Sequence, residues 1–319
     1  MSARSGRSGR QQRGGQQRGG QQGGRGSGGR QQSGSESGGR QRGGRGSGGR
    51  GGADRAGRTT DKGSSSRERG LGGTQVEGRQ AVRELLLAGR RRTHEILLSA
   101  ETERADIVAD IVDLAAELRI PVTEVGRSKL DALSRTDAPQ GVVARAAELP
   151  ESTLEELCAP GEDGVAPFLL AVDGVTDPGN LGALLRIAEC AGVTGVVLPR
   201  HRAVHVTPTV TKAAAGAVEY LEMALVGGLP TAIEAMRAAG VWVVGLDAGG
   251  DTPVHDLTVA AEGVCLVLGA EGKGLSRLVR QRCDLVASIP LYGRLASLNV
   301  ASAGAVACYE VARRRAERV

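Results

Sequence analysis

Three stretches of the 319-residue chain set polar side chains beside glycines in a way that suits the binding of a ligand and chemistry upon it. The first, Asp173-Gly174-Val175-Thr176-Asp177-Pro178-Gly179-Asn180-Leu181-Gly182-Ala183-Leu184-Leu185-Arg186, offers a carboxamide at Asn180 and a guanidinium at Arg186. In the second, Leu268-Gly269-Ala270-Glu271-Gly272-Lys273-Gly274-Leu275-Ser276, three glycines surround one acid. Such a loop lets backbone approach a ligand closely, with Glu271 either touching it or capping the next helix. It has neither the GxxxxGK(S/T) order nor the GxGxxG spacing, which excludes a phosphate-loop hydrolase and an ordinary dinucleotide fold. The third, Ile289-Pro290-Leu291-Tyr292-Gly293-Arg294-Leu295-Ala296-Ser297-Leu298-Asn299, leads into a helix of small residues. Taken singly, each stretch has a plainer reading. Arg186 lies off the stripe of Leu181, Leu184, Leu185 and Ala188 and reads as a solvated arginine, while Asn180 and Asn299 read as helix N-caps.

Each stretch follows an apolar run, and open parallel sheets bind ligands outside the carboxyl ends of their strands. From residue 168 such runs alternate with helical segments, at 168–172, 195–198, 221–226, 241–246, 265–268 and 285–289. Unbroken apolar strands are covered on both faces, so residues 167–319 are expected to fold as an α/β domain on a parallel sheet. Ahead of it, residues 73–149 read as a smaller α/β unit, with helices over 78–88, 104–119 and near 129–133, and strands at 95–99, 121–125 and 141–146. Between the two, residues 150–166 are rich in Glu, Pro and Gly and read as an acidic linker.

Charge is divided as unevenly as hydropathy. The chain nets +5, but residues 1–70 hold 16 basic and 4 acidic side chains, a net of +12, while the rest holds 25 basic and 32 acidic, a net of −7. The first segment also carries 24 of the 50 glycines, no aromatic residue, and no Leu, Ile or Val before Leu71. So little apolar surface cannot offset the entropy of ordering, and residues 1–72 are expected to be a disordered tail. Its Arg-Gly-Gly and Gln-Gln repeats suit sequence-blind attraction to polyanions, whereas a membrane partner would need apolar anchors the tail lacks. No apolar run of spanning length and no secretory signal is present, which points to the cytoplasm. Cys158, Cys190, Cys265, Cys283 and Cys308 read as buried free thiols. His201 and His205 have no third ligand nearby, so no metal site is expected.

In their order and spacing the three stretches together resemble the motifs of the SpoU (TrmH) family of RNA ribose 2'-O-methyltransferases. The residues that carry the likeness are Asn180-x-Gly182-Ala183-x-x-Arg186, then Leu268-Gly269-Ala270-Glu271-Gly272-x-Gly274, then Ile289-Pro290-x-x-Gly293 leading into Ser297-Leu298-Asn299-Val300. Residues 75–149, with Val76-Glu77-Gly78-Arg79-Gln80-Ala81-Val82 near their start, resemble the L30e-like substrate-binding domain of RlmB-type members, which modify guanosine in 23S rRNA. Pro139-Gln140-Gly141 stands where relatives usually read His-Gln-Gly, and Gly179 where His is frequent.

The resemblance implies a catalytic domain with a C-terminal trefoil knot that binds S-adenosylmethionine through backbone groups, with Gly269, Ile289 and Leu298 in contact with it. It assigns Arg186 to the 2'-hydroxyl and implies that Asn180, Glu271, Ser297 and Asn299 orient the reacting groups. Guanidinium groups hold their protons at ordinary pH, so Arg186 either accepts the proton when a substrate phosphate perturbs it or binds the phosphate and stabilises the alkoxide. RNA, not DNA, is the implied partner, and a homodimer the implied assembly. Methylation of tRNA ribose or of an rRNA adenosine, as in thiostrepton resistance, is a neighbouring reading. A non-catalytic RNA-binding or ribosome-assembly factor is a reading from another class; loss of Arg186, Glu271 or Asn299 would favour it, and all three are present.

Overall fold

The computed structural model describes residues 70–102, 106–161, 163–201 and 205–317. The expected tail lies outside the described residues apart from its last three positions, as does the start of the helix expected over 104–119.

The first sheet is built from β1 (Gln75–Glu77), α1 (Arg79–Ala88), β2 (Thr93–Ser99), α2 (Asp106–Glu117), β3 (Val122–Val125), α3 (Arg127–Leu133) and β4 (Val142–Ala146). Its strand order is β1-β4-β2-β3, with β4 antiparallel to both neighbours and β2 parallel to β3. Glycine stops α1: Gly89 takes φ 58°, where a side chain would be strained, and its N–H closes on the Leu85 carbonyl. Val82 and Leu85 from α1 and Ile111 from α2 bury against Val76, Ile96 and Val142.

The stretch expected to be a linker is partly structured. Thr153 and Glu156 form a reciprocal capping box, with the Glu156 N–H donating to Thr153 Oγ1 at 3.2 Å and the Thr153 N–H to Glu156 Oε2 at 2.7 Å. It starts α4 (Leu154–Cys158), which buries Leu157 and Cys158.

The second sheet follows, from β5 (Phe168–Asp173), α5 (Pro178–Cys190), β6 (Gly195–Pro199), α6 (Pro208–Ala213), β7 (Met223–Val226), α7 (Leu229–Ala238), β8 (Trp242–Leu246), β9 (Thr252–Pro253), β10 (Val264–Gly269), α8 (Arg277–Arg282), β11 (Leu285–Ser288) and α9 (Val300–Ala316). The order is β7-β6-β5-β10-β8-β11-β9, and every pairing is parallel. Alternate residues feed two cores. Phe168, Leu170, Val172, Leu266 and Leu268 pack with α5 and α9, whereas Leu169, Ala171, Cys265 and Val267 pack with α4, α7 and α8. This two-sided burial is why the strands read as continuous apolar runs.

Two expectations need correction. Asn180 is not the cap of α5; Asp177 is, accepting the Asn180 N–H at 2.7 Å with Pro178 at the first helical position, so the helix begins three residues earlier. Not all thiols are buried: Cys158, Cys265 and Cys308 are, Cys283 is half-buried and Cys190 is exposed.

The sheets are joined by a buried ion pair. Arg91, just before β2, donates from Nε and Nη2 to the two carboxylate oxygens of Glu219 at 2.8 and 2.6 Å, and its Nη1 serves the carbonyls of Gly73 and Ala147. Both side chains are at most 3 % exposed. Lys212 of α6 adds a second tie, donating its Nζ to the Ala138 carbonyl.

Candidate active site

The parallel register places the carboxyl ends of β5, β10, β8 and β11 side by side. A cleft of about 440 Å3 opens beyond β8, β10 and β11. Its apolar wall comes from Leu246, Leu268, Ile289, Leu291, Leu298 and Val300, and its polar groups from Asp247, Glu271, Lys273 and Ser297. The volume lies in the range of small-molecule sites, and an apolar wall with few polar groups is their usual composition. All three residues expected to touch a cofactor, Gly269, Ile289 and Leu298, line it.

The second and third stretches meet the first through a chain of side chains. Asn299 donates from Nδ2 to Asn180 Oδ1 at 2.9 Å, and Asn180 donates from its own Nδ2 to Glu271 Oε2 at 3.3 Å. Asn299 Oδ1 meanwhile caps α9, accepting from the N–H groups of Ala301 and Ser302, so one side chain both caps the helix and bonds Asn180. The cap fixes which end of the Asn299 amide donates. That in turn fixes the Asn180 amide, leaving a carboxylate at the cleft end of the relay.

Glycine serves this site differently from position to position. A Cβ on Gly269 would lie 2.2 Å from the Gly274 carbonyl carbon, and one on Gly274, at φ 64°, would lie 2.8 Å from Asp247 Oδ2. Residues 270 and 274 close the loop with paired backbone hydrogen bonds of 3.1 and 2.8 Å. At these two positions the close approach is therefore by the protein's own chain. Gly272, at φ 75°, faces open space, as does Gly293.

Arg186 is placed apart from the other expected site residues. It lies on the exposed side of α5 and lines a separate hollow of about 320 Å3 with Gln80, Glu84, Glu189, Cys190 and Tyr220. Tyr220 donates to Glu84 Oε2 at 2.7 Å there; loss of solvent and the Glu84 carboxylate push its phenol up to about 12. Partial loss of solvent and neighbouring Glu189 likewise raise the thiol of Cys190, which is otherwise exposed. The cleft lining holds Glu271 and Ser297, with Asn180 and Asn299 joined to it through the relay.

One set of cleft residues escaped the sequence reading. Leu246-Asp247-Ala248-Gly249-Gly250 is a fourth strand end followed by an acid and glycines, and its first three residues line the cleft. Asp247 Oδ1 accepts from the Gly249 N–H at 2.9 Å and pairs with Arg280 at 2.8 Å. A Cβ on Gly250 would lie 2.5 Å from the Ala287 carbonyl carbon.

Residues 167–309 match the SpoU rRNA methylase family, and residues 75–152 match the RNA 2'-O ribose methyltransferase substrate-binding family. The chain is 41 % identical over 244 residues to the 23S rRNA (guanosine-2'-O-)-methyltransferase RlmB of Pseudomonas aeruginosa, covering 76 % of this chain and 96 % of that one. An uncharacterized tRNA/rRNA methyltransferase of Mycobacterium ulcerans is 38 % identical over 240 residues, covering 75 % and 77 %. Among solved structures, the SpoU methyltransferase AviRb from Streptomyces viridochromogenes in complex with the cofactor AdoMet superposes with a TM-score of 0.63 at 26 % identity, covering 76 % of this chain and 90 % of that one. The cleft, the relay and these likenesses agree, and the chain belongs to the SpoU rRNA methylase family.

Proposed function

We propose that the chain methylates the 2'-hydroxyl of a guanosine ribose in 23S rRNA at the expense of S-adenosylmethionine. The observation that carries this reading is the relay from Asn299 through Asn180 to Glu271, which joins all three sequence stretches at the rim of one cleft. The apolar wall of the cleft suits a purine nucleoside, and Asp247, Glu271 and Ser297 supply polar groups to hold its ends. Gly269, Ile289 and Leu298 would hold S-adenosylmethionine, which supplies an electrophilic methyl group on a sulfonium. What the protein adds is position. Glu271 and the two asparagines hold the ribose in line, and an oriented near-attack geometry supplies much of the rate. Arg186 serves the 2'-oxygen from the RNA side, binding the adjacent phosphate and favouring the deprotonated oxygen.

A homodimer completes this reading. Arg186 lines a hollow apart from the cleft of its own chain, and a second copy would bring an arginine to each cleft. Val306 and Tyr309 on the outer face of α9, with Tyr292 and Leu295 in the preceding loop, are exposed apolar groups suited to such an interface. We further assign residues 73–149 to an L30e-like RNA-binding domain, 150–166 to the connection and 167–319 to methyl transfer in the cytoplasm. A trefoil knot in the last of these belongs to the same reading. The +12 charge of the tail adds salt-sensitive, sequence-blind attraction to RNA.

The test is Arg186→Ala assayed on 23S rRNA fragments. Methyl transfer is expected to fall by about a hundredfold or more with cofactor affinity unchanged; retained turnover would refute the assignment. Mixing Arg186→Ala with Glu271→Ala chains is expected to restore activity in the heterodimer, and no restoration would refute the shared site.

A further inference from the structure

The sheet of β1 to β4 holds a second, larger hollow, about 750 Å3, between the end of β2, α3 and the loop of residues 134–141. Its rim mixes signs: Arg79, Arg127 and Arg135 stand with Glu101, Asp131 and Asp137. A lining with no net charge is not a plain polyanion trap. Guanidinium groups for phosphates beside carboxylates and hydroxyls for base edges suit the unpaired nucleotides of an RNA loop.

The shape of this hollow depends on a side chain that does not line it. Glu77, the last residue of β1, is fully buried, an unusual place for a carboxylate unless its acceptor sites are all used. Its Oε1 accepts from the Arg135 N–H at 2.7 Å and Gln75 Nε2 at 2.6 Å, and its Oε2 accepts from the Thr136 N–H at 3.0 Å and Thr136 Oγ1 at 2.5 Å. Gln75 Nε2 also donates to the Leu133 carbonyl at 3.0 Å. The far end of the loop is tied from the same segment. Arg79 donates its N–H to Gln140 Oε1 and its Nε to the Gln140 carbonyl, both at 3.1 Å, and holds that non-glycine residue at φ 58°. A neutral apolar residue at 77 would fill the core equally well but could not grip two successive backbone N–H groups.

We propose that this hollow takes the unpaired RNA segment and that Glu77 is the positioning residue that sets Arg135 toward it. This rests on the RNA methyltransferase reading and names how the substrate is held. Substitution of Glu77 by Gln keeps the volume but turns one acceptor into a donor, which must face either the pair Arg135 N–H and Gln75 Nε2 or the two Thr136 donors.

The experiment measures direct binding and methyl transfer on a 23S rRNA fragment with wild type, Glu77→Gln, Arg135→Ala and the double variant. Glu77→Gln is expected to raise Kd and KM for RNA about tenfold, with kcat and cofactor affinity unchanged. In the double variant the loss should be no larger than in Arg135→Ala alone. Additive losses would overturn the proposal, because Glu77 would then not act through Arg135. So would unchanged RNA affinity, or a parallel loss of melting temperature and cofactor affinity, which marks a purely structural carboxylate. Wild-type protein that binds the fragment through Glu77 and Arg135 yet transfers no methyl group would refute the activity and keep the positioning role.

Discussion

The cleft beyond β8, β10 and β11 and the hollow beside β2 are both openings at a sheet's end, built by opposite means. In and around the cleft, backbone is pressed on backbone: Gly269 against Gly274 in its lining and Gly250 against Ala287 behind it leave no space for a methyl group. In the hollow, a loop is hung from side chains, with Glu77 at one end and Arg79 at the other. A small ligand of fixed shape is met by geometry that cannot relax. A flexible polymer is met by a lining whose aim is set by hydrogen bonds, and these are lost or gained one at a time.

The largest effect is expected at what joins the two regions. Arg91→Ala leaves Glu219 buried without its partner and should cost about 3–5 kcal/mol, read from the urea midpoint. A cost below 1 kcal/mol would mean the regions are stable independently. Next comes the rigid side of the comparison. Gly269→Ala forces a Cβ into the Gly274 backbone and should destabilise by about 1–3 kcal/mol while abolishing S-adenosylmethionine binding in calorimetry. Normal affinity would break the contrast with the hollow. Asn299 separates capping from chemistry. Asn299→Asp keeps the acceptor for Ala301 and Ser302 but loses the donor to Asn180, so activity should fall with stability nearly intact, whereas Asn299→Ala should also lose about 1 kcal/mol. The smallest effect is a pH slope. The Tyr220 phenol is raised from its ordinary 10 to about 12, so the stability from its bond to Glu84 is present below pH 10 and fades as pH climbs through 12. Tyr220→Phe should flatten that slope in alkaline denaturation curves.

Sequence made the alternation of buried strands and helices legible because each parallel strand is apolar on both faces. It made the three polar stretches legible because each follows a strand directly. Start signals were harder to rank. Asn180 is a good cap by type, but Asp177 followed by Pro178 outcompetes it, and the Thr153 to Glu156 capping box turns a stretch that looked like a linker into a helix. Asp247 escaped because its strand end lacks the family motif. Glu77 escaped for a deeper reason: its partners at 135 and 136 are distant in sequence, and nothing local marks an acid as buried. The separation of Arg186 from the cleft is likewise a fact of packing, since helical spacing alone puts it off the apolar stripe without saying what it faces.

The Arg91–Glu219 pair and the Lys212 bond to Ala138 fix the span from the hollow to the cleft. On the proposed reading the enzyme is then a caliper. Which nucleotide is modified becomes a question of distance as much as of base identity, since the RNA's own fold must offer a ribose at the second jaw while another part of it sits in the first.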